Sequence, residues 1–302
     1  MNWSTDTFQV INPEIYQLEL TNKCGLSCPN CIRDDPRVRR PVGYMGLDLI
    51  KLMHDRGDFD GSYFLELQMY GEPLCAPQFD DIIFYLKENL DVKLGLSTNG
   101  LLISEHLEAL SNLDFITISI DSPNKEEYEA LRVGSSFSKL IANIDMLVGF
   151  NLDSIKPSKR PAIDLQVINF GQSRLSNLIL LAKINHWNVT CREVVDCFAK
   201  YHDRKYPSKN MNQVCLNPWM SVSVQWDGDV VPCCFSAGKD IVYGNLYDMS
   251  LKEIWQTSET RKQLVENMRL NYNQENMPCR FCYMRSPVLF HQTMLMNEFR
   301  ER

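Results

Sequence analysis

Short apolar runs alternate with amphipathic stretches through the first two-thirds of the chain. Residues 14–20, 62–70, 92–97, 115–120, 162–168 and 188–195 read as strands. Between them, residues 47–55, 79–89, 104–111, 125–132, 137–148 and 175–185 repeat apolar side chains three and four apart, the period of a helix buried along one face. Repeated strand–helix units predict an α/β fold whose parallel sheet carries helices on its outer face. Six units are too few for a closed eight-unit barrel, so the pattern predicts a curved, open, partial (β/α)6 barrel. In such sheets ligands collect at the carboxyl ends of the strands. Residues 24–31, Gly71-Glu72-Pro73, residues 97–100 and residues 119–121 all fall there.

The pattern changes after Tyr201. Residues 202–214 are polar and include Pro207, which reads as a linker between a barrel over 1–201 and a smaller unit over 215–302. In that unit, residues 219–226 and 230–232 predict a hairpin around Asp227-Gly228-Asp229. Residues 251–268 predict a helix with a break near Thr257-Ser258, and a terminal helix begins at Leu289.

The composition, 44% hydrophobic and 23% charged over 302 residues, is that of an ordinary globular protein. A net charge of −7 gives no electrostatic drive toward a nucleic-acid backbone, which disfavours DNA or RNA as a partner. The local basic stretch from Arg33 to Arg40 reads first as a solvated loop, and could also meet an anionic ligand. No apolar run is long enough to cross a membrane, and the first residues lack the basic-then-apolar pattern of a signal peptide, so a cytoplasmic location is expected. Eleven cysteines in a reducing compartment point to metal binding or chemistry rather than disulfides.

Cys24, Cys28 and Cys31 are spaced C-x3-C-x2-C, which lets one short loop wrap three thiolates around a metal centre. Soft thiolates suit iron–sulfur clusters, zinc or copper(I). Three ligands on a four-iron cubane leave one iron open to chelate a ligand's amino and carboxylate groups. A zinc site would need a fourth ligand, for which Asp34 or Asp35 stands nearby. A second set follows: Cys215 and Cys233 as C-x12-G-x4-C through Gly228, then Cys279 and Cys282 as C-x2-C. Four thiolates saturate a cluster and suit electron transfer or structure; a four-cysteine zinc knuckle uses the same chemistry. Cys75, Cys191, Cys197 and Cys234 remain, and packing is the default role for each.

The C-x3-C-x2-C loop at the end of a first strand resembles the radical S-adenosylmethionine (SAM) superfamily. Further motifs follow in the family's order. Gly71-Glu72-Pro73 is similar to the GE motif that holds the methionyl amino group of SAM. The Ser97-Thr98-Asn99-Gly100 segment resembles the one lining the cofactor site after the third strand, and Ser119-Ile120-Asp121 the fourth-strand motif near the ribose. Arg132 matches an arginine that meets the SAM carboxylate in relatives with a similar C-terminal extension. Asn30 departs from the aromatic residue often found before the third cysteine. Gly228-x4-Cys233, Gly244-Asn245-Leu246 and Leu251-x3-Trp255 resemble the SPASM/twitch extension. With only two cysteines after Trp255, the shortened twitch form with one auxiliary 4Fe–4S cluster is expected, and the spacings are similar to those of the family's aminocyclitol-oxidising dehydrogenases. Gly-x4-Cys favours Cys233 over its neighbour Cys234 as the ligand.

The resemblance implies a SAM-binding 4Fe–4S cluster, reductive cleavage of SAM to a 5′-deoxyadenosyl radical, and hydrogen abstraction from a substrate. An electron donor such as flavodoxin or ferredoxin is implied as a partner. The leading expectation is oxidation of a hydroxylated small molecule such as a sugar or aminocyclitol. Alternatives are an epimerase in which Cys234 or Cys191 returns a hydrogen atom, and a maturase acting on a short ribosomal peptide. About a dozen residues precede the first strand, so no peptide-clamping domain is expected there, which lowers the peptide reading. A non-catalytic zinc-binding interaction protein is the alternative from another class.

Overall fold

A computed structural model describes residues 12–29, 31, 33, 39–168, 172–194, 217–234, 236 and 241–270. The predicted alternation is present. In chain order the barrel elements are β1 (Glu14–Leu18), α1 (Leu47–Asp55), β2 (Phe64–Glu66), α2 (Phe79–Asn89), β3 (Lys93–Thr98), α3 (Leu107–Ser111), β4 (Phe115–Ser119), α4 (Lys125–Leu131), α5 (Phe137–Ser154), β5 (Ala162–Ile168), α6 (Gln172–Ile184) and β6 (Thr190–Val194). Each of β1 to β6 pairs in parallel with the next.

Register divides the sheet into two unlike faces. Leu94, Leu96, Ile116, Ile118 and Leu165 are fully buried, in one core with the helices. The alternate positions are mostly polar: Glu66, Ser97, Thr117, Ser119, Asp164 and Gln166. There Ser97 donates to Glu66 at 3.1 Å and Gln68 donates to it at 3.0 Å. The sheet thus has an apolar face under the helices and a polar face opposite it.

Several element ends differ from expectation. The strand foreseen over 62–70 shortens to Phe64–Glu66, because the chain turns away toward Gly71. The helix foreseen over 104–111 breaks at His106, which leaves the helical region to bond Asp80 at 2.7 Å. The fifth helix runs on to Ser154, since Leu147, Val148 and Asn151 continue its buried stripe past Gly149. Side-chain caps fix the starts of α4 and α5, with Asn124 accepting from Glu127 N–H and Ser136 from Lys139 N–H.

The later part adds α7 (Asn217–Met220), β7 (Ser221–Val224), β8 (Asp229–Val231), β9 (Gly244–Asn245), α8 (Leu251–Thr257) and α9 (Glu259–Leu270). The expected hairpin is β7–β8, and Gly228 turns it with φ +83°. The helix break falls at Ser258, as the sequence suggests, and α8 opens with a reciprocal Ser250–Glu253 capping box. Unforeseen is the docking. β7 pairs in parallel with β1, so among the described residues one sheet runs β6-β5-β4-β3-β2-β1-β7-β8-β9. Arg56 donates to Leu246 O at 2.7 Å, and buried Asp58 accepts the Leu251 N–H at 2.8 Å, so the loop after α1 grips the same unit. The linker at 202–214 and the helix from Leu289 lie outside the described residues.

Asp114 pins the start of β3 and the end of α2 to β4. It accepts from Leu94 N–H, Lys87 and Lys93, each at 3.0 Å. Burial pushes its pKa up, but these three donors outweigh burial and hold it below the usual value. A depressed carboxyl adds stability above its unfolded pKa and loses it as pH falls through the folded one. The Asp114→Asn variant should therefore be about 1 kcal/mol less stable near neutral pH. That deficit should vanish as pH falls below the carboxylate range, which urea melts at several pH values would read.

Candidate functional site

Beyond β1 the chain continues through Glu19, Leu20 and Thr21 into the first cysteine loop. Its return limb is lashed to the strand end. Thr21 Oγ1 donates to Gly43 O at 2.7 Å, Asn22 Nδ2 to Pro41 O at 2.8 Å, and Met45 N–H to Leu20 O at 2.8 Å. Within the loop, Cys31 N–H bonds Cys28 O at 3.0 Å, and Ser27 N–H reaches Val133 O at 2.9 Å. The Arg33 guanidinium ties two loop carbonyls, Cys24 O at 3.0 Å and Leu26 O at 2.5 Å. The loop shape is thus fixed by backbone contacts, leaving the thiols to a ligand.

All three thiols are half-buried. Burial pushes Cys24 and Cys28 up, and the Arg132 guanidinium draws Cys28 part of the way back. Such thiols hold protons until a metal displaces them. Cys24 Sγ already accepts from Leu26 N–H at 3.4 Å and faces Asn99 Nδ2 at 3.8 Å, the donors a thiolate sulfur uses. Among the described residues no three His, Cys, Asp or Glu groups close on one bare ion. A mononuclear tetrahedral site would need its thiolates about 2.3 Å from the metal. The donor set fits an iron–sulfur cluster bound through three sulfurs.

The loop after β2 comes close against this one. A Cβ on Gly71 would sit 2.1 Å from Thr21 O, so only glycine permits the approach. The neighbouring Glu72 is 3% exposed, and its carboxylate is fully engaged inside the protein. Thr98 Oγ1 donates to it at 2.6 Å, Asn99 N–H at 2.7 Å and Leu74 N–H at 3.3 Å, while Glu72 N–H bonds Lys23 O at 2.7 Å. The side chain therefore braces its own loop against the end of β3, while the Glu72 backbone N–H ties that loop to the one after β1. Burial pushes the Glu72 pKa up. Thr98, whose role sequence reading missed, supplies the shortest of these bonds.

At the end of β4, Asp121 takes a left-handed φ of +53° and receives Arg132 Nε at 2.7 Å. Its other oxygen, Oδ1, is buried with no protein partner, an acceptor in want of a donor. The remaining expected contacts separate. Asn99 and Ser119 stand at the strand ends beside this site, and Asn99 Oδ1 accepts Leu101 N–H at 3.0 Å. The Ser97 hydroxyl is spent on Glu66.

Beyond β8, Cys233 and Cys234 are half-buried and lie near Tyr70, whose pKa burial and the two thiols push well up. Cys215, Cys279, Cys282 and Cys197 lie outside the described residues. Cys191 pairs with Leu165, which pairs with Ile118, so its thiol packs on the helix-covered face and not toward the strand-end site. Cys75 sits against the first loop, accepting from Gly25 N–H. Sequence reading also missed a buried ion pair. Arg40 Nη2 donates to both Glu19 oxygens, at 2.6 and 2.8 Å, and Nη1 to Gln225 Oε1 at 2.9 Å, while Trp226 N–H reaches Glu19 at 3.3 Å.

Two family models match the chain in order: the Radical SAM superfamily over residues 18–159, and the SPASM iron–sulfur cluster-binding domain over residues 215–283. A tungsten-containing aldehyde ferredoxin oxidoreductase cofactor-modifying protein of Pyrococcus furiosus is 27% identical over 291 residues, 80% of each chain. A probable GTP 3′,8-cyclase of Methanococcus maripaludis is 24% identical over 143 residues, and the chain spans about half its length, 47%. Among solved structures, BtrN in complex with AdoMet and 2-DOIA superposes with a TM-score of 0.58 at 15% identity, over 91% of this chain and 92% of that one. Streptococcus suis SuiB bound to S-adenosylmethionine gives 0.65 at 13% identity, over 92% and 72%. At these identities the structural likeness shows a shared fold. The two matched models place both cysteine sets inside iron–sulfur domains, and the chain belongs to the radical SAM superfamily, with a C-terminal SPASM domain.

Proposed function

We propose that this enzyme oxidises a hydroxylated small molecule, such as a sugar or aminocyclitol, by radical dehydrogenation. The bound SAM and its cluster supply a 5′-deoxyadenosyl radical through one-electron cleavage of the sulfonium. Removal of a hydrogen atom from a carbinol carbon yields 5′-deoxyadenosine. An auxiliary cluster held by Cys215, Cys233, Cys279 and Cys282 would supply the acceptor for the second electron of the oxidation and pass it to an external redox protein, while the hydroxyl proton leaves to solvent. One external electron, from a flavodoxin- or ferredoxin-type donor, enters for each SAM consumed.

The positions of the residues support the following roles. Cys24, Cys28 and Cys31 hold the first cluster. Backbone at Gly71-Glu72 receives the methionyl amino group, Arg132 its carboxylate, and Asp121 Oδ1 a ribose hydroxyl, with Asn99 and Ser119 along the same edge. Cys215, Cys233, Cys279 and Cys282 hold the auxiliary cluster. The observation carrying the oxidative reading is the β1–β7 pairing. It joins the strand that leads into the first cysteine loop to the hairpin that leads into Cys233, an arrangement that supports electron transfer between two clusters carried on one sheet. The polar lumen around Glu66 suits a hydroxylated substrate, and BtrN, whose complex holds 2-DOIA, matches this chain end to end.

Anaerobic reconstitution should give about eight iron atoms per chain, and Cys24→Ala, Cys28→Ala or Cys31→Ala about four. Dithionite and SAM should give 5′-deoxyadenosine with the parent and none with these variants. Incubated with sugars, aminocyclitols and short peptides, the parent should convert a hydroxylated small molecule to a ketone, one 5′-deoxyadenosine per ketone. Inverted alcohol as the product, or turnover of peptides alone, would overturn the oxidative reading while leaving SAM cleavage intact.

Thr98→Val deletes a buried bond to a carboxylate that shapes the backbone around the SAM amino group. SAM should bind about 5- to 20-fold more weakly, near 1–2 kcal/mol. Equilibrium dialysis of the reconstituted protein would read the loss, with iron content unchanged.

A further inference from the structure

Trp219, on the short helix α7, carries a buried polar group that the SAM site does not use. The residue is 4% exposed and belongs to the hydrophobic core. Its indole Nε1 is buried with no hydrogen-bond acceptor in the protein. An indole N–H can only donate, and a buried tryptophan normally finds a partner for it. A buried donor left unanswered costs free energy, so something that belongs at this place is expected to accept from it.

Arg261 on α9 fixes where α7 stands. Its guanidinium stacks 3.4 Å over the Trp255 ring, Nη1 donates to Trp255 O at 3.2 Å, and Nε donates to Pro218 O at 3.2 Å. The end of α8, the start of α9 and α7 therefore meet at one side chain. Two facts put cysteines beside the indole. Cys215 stands four residues before Trp219 in the chain. Antiparallel pairing sets Ser223 against Val231, so Cys233, two residues past Val231, runs back toward Ser221, which directly follows α7. Both cysteines fall in the stretch matched as an iron–sulfur cluster-binding domain, residues 215–283. The sulfurs of such a cluster accept hydrogen bonds, which is the chemistry the lone indole N–H calls for.

We propose that the Trp219 indole N–H donates to a sulfur of the auxiliary 4Fe–4S cluster and raises its reduction potential. The inference rests on the assignment of Cys215, Cys233, Cys279 and Cys282 to that cluster. Reduction places more negative charge on the sulfurs, so a donor aimed at them stabilises the reduced state more than the oxidised one. Electron uptake is thereby favoured, as an acceptor for the electron of a substrate radical requires.

The test uses the full chain carrying Cys24→Ala, Cys28→Ala and Cys31→Ala together, reconstituted anaerobically, which should hold about four iron atoms, all at the auxiliary site. Trp219→Phe in this background keeps a buried aromatic ring and deletes the donor. A redox titration followed by electron paramagnetic resonance should show the reduction equilibrium shifted about 10-fold toward the oxidised cluster, about 59 mV for one electron, with iron content unchanged. Hyperfine spectra of the reduced cluster should contain an exchangeable proton that deuterium oxide removes and Trp219→Phe lacks. Labelling the indole nitrogens with nitrogen-15 should add a nitrogen coupling in the chain that keeps Trp219, a readout that does not depend on the Phe variant folding. An unchanged potential in iron-replete Trp219→Phe, or no indole coupling in the labelled chain, would overturn the proposal and leave the cluster assignment standing. A triple-alanine chain that binds no iron would instead overturn the cluster assignment, and this inference with it.

Discussion

The molecule turns on the buried pair of Glu19 and Arg40. Glu19 leaves β1 just before the first cysteine loop, and Arg40 sits on the limb by which that loop returns. Two bonds further on, Gln225 and Trp226 bring in the turn of the β7–β8 hairpin. Burial pushes Glu19 up, and the Arg40 guanidinium answers it. Desolvating both charges makes the pair a weak source of net stability, but removing one partner costs about 3–5 kcal/mol. The pair ties three segments together: the end of β1, the returning limb of the cysteine loop and the turn of the β7–β8 hairpin.

The same economy appears around Glu72. A carboxylate that a motif suggests as a ligand contact is consumed by Thr98, Asn99 and Leu74. The loops after β2 and β3 are thereby fixed to each other, and the Glu72 N–H bond to Lys23 O adds the loop after β1. The three thiols of the first loop stand half-buried on this braced frame. Preorganisation of this kind lets a site bind a charged, flexible cofactor without ordering the protein at the same time.

Much of this was legible before any coordinates. The alternation of period-2 and period-3.6 patterns located the strands and helices, and the break at Ser258 was visible because Thr257-Ser258 interrupts an otherwise periodic run. The ends were less so: the fifth helix passes its Gly149, and β2 stops where tertiary contacts pull Gly71 inward. The parallel pairing of β7 with β1 carries no local signal, since its partners are about two hundred residues apart. The motif cysteines could be read from spacing. The faces of Cys191 and Ser97 could not, because a one-residue change in register would exchange them. The Glu19–Arg40 pair was invisible for the same reason, as charge in a sequence does not reveal burial.

The docking of β7 has one more effect. On its own, the barrel would expose one whole side of β1 as a row of unmatched peptide groups, close to the cysteine loop. Open strand margins of that sort recruit other chains. The auxiliary module thus doubles as a lid on a self-associating border, which makes a barrel-only fragment a poor candidate for an independent soluble unit.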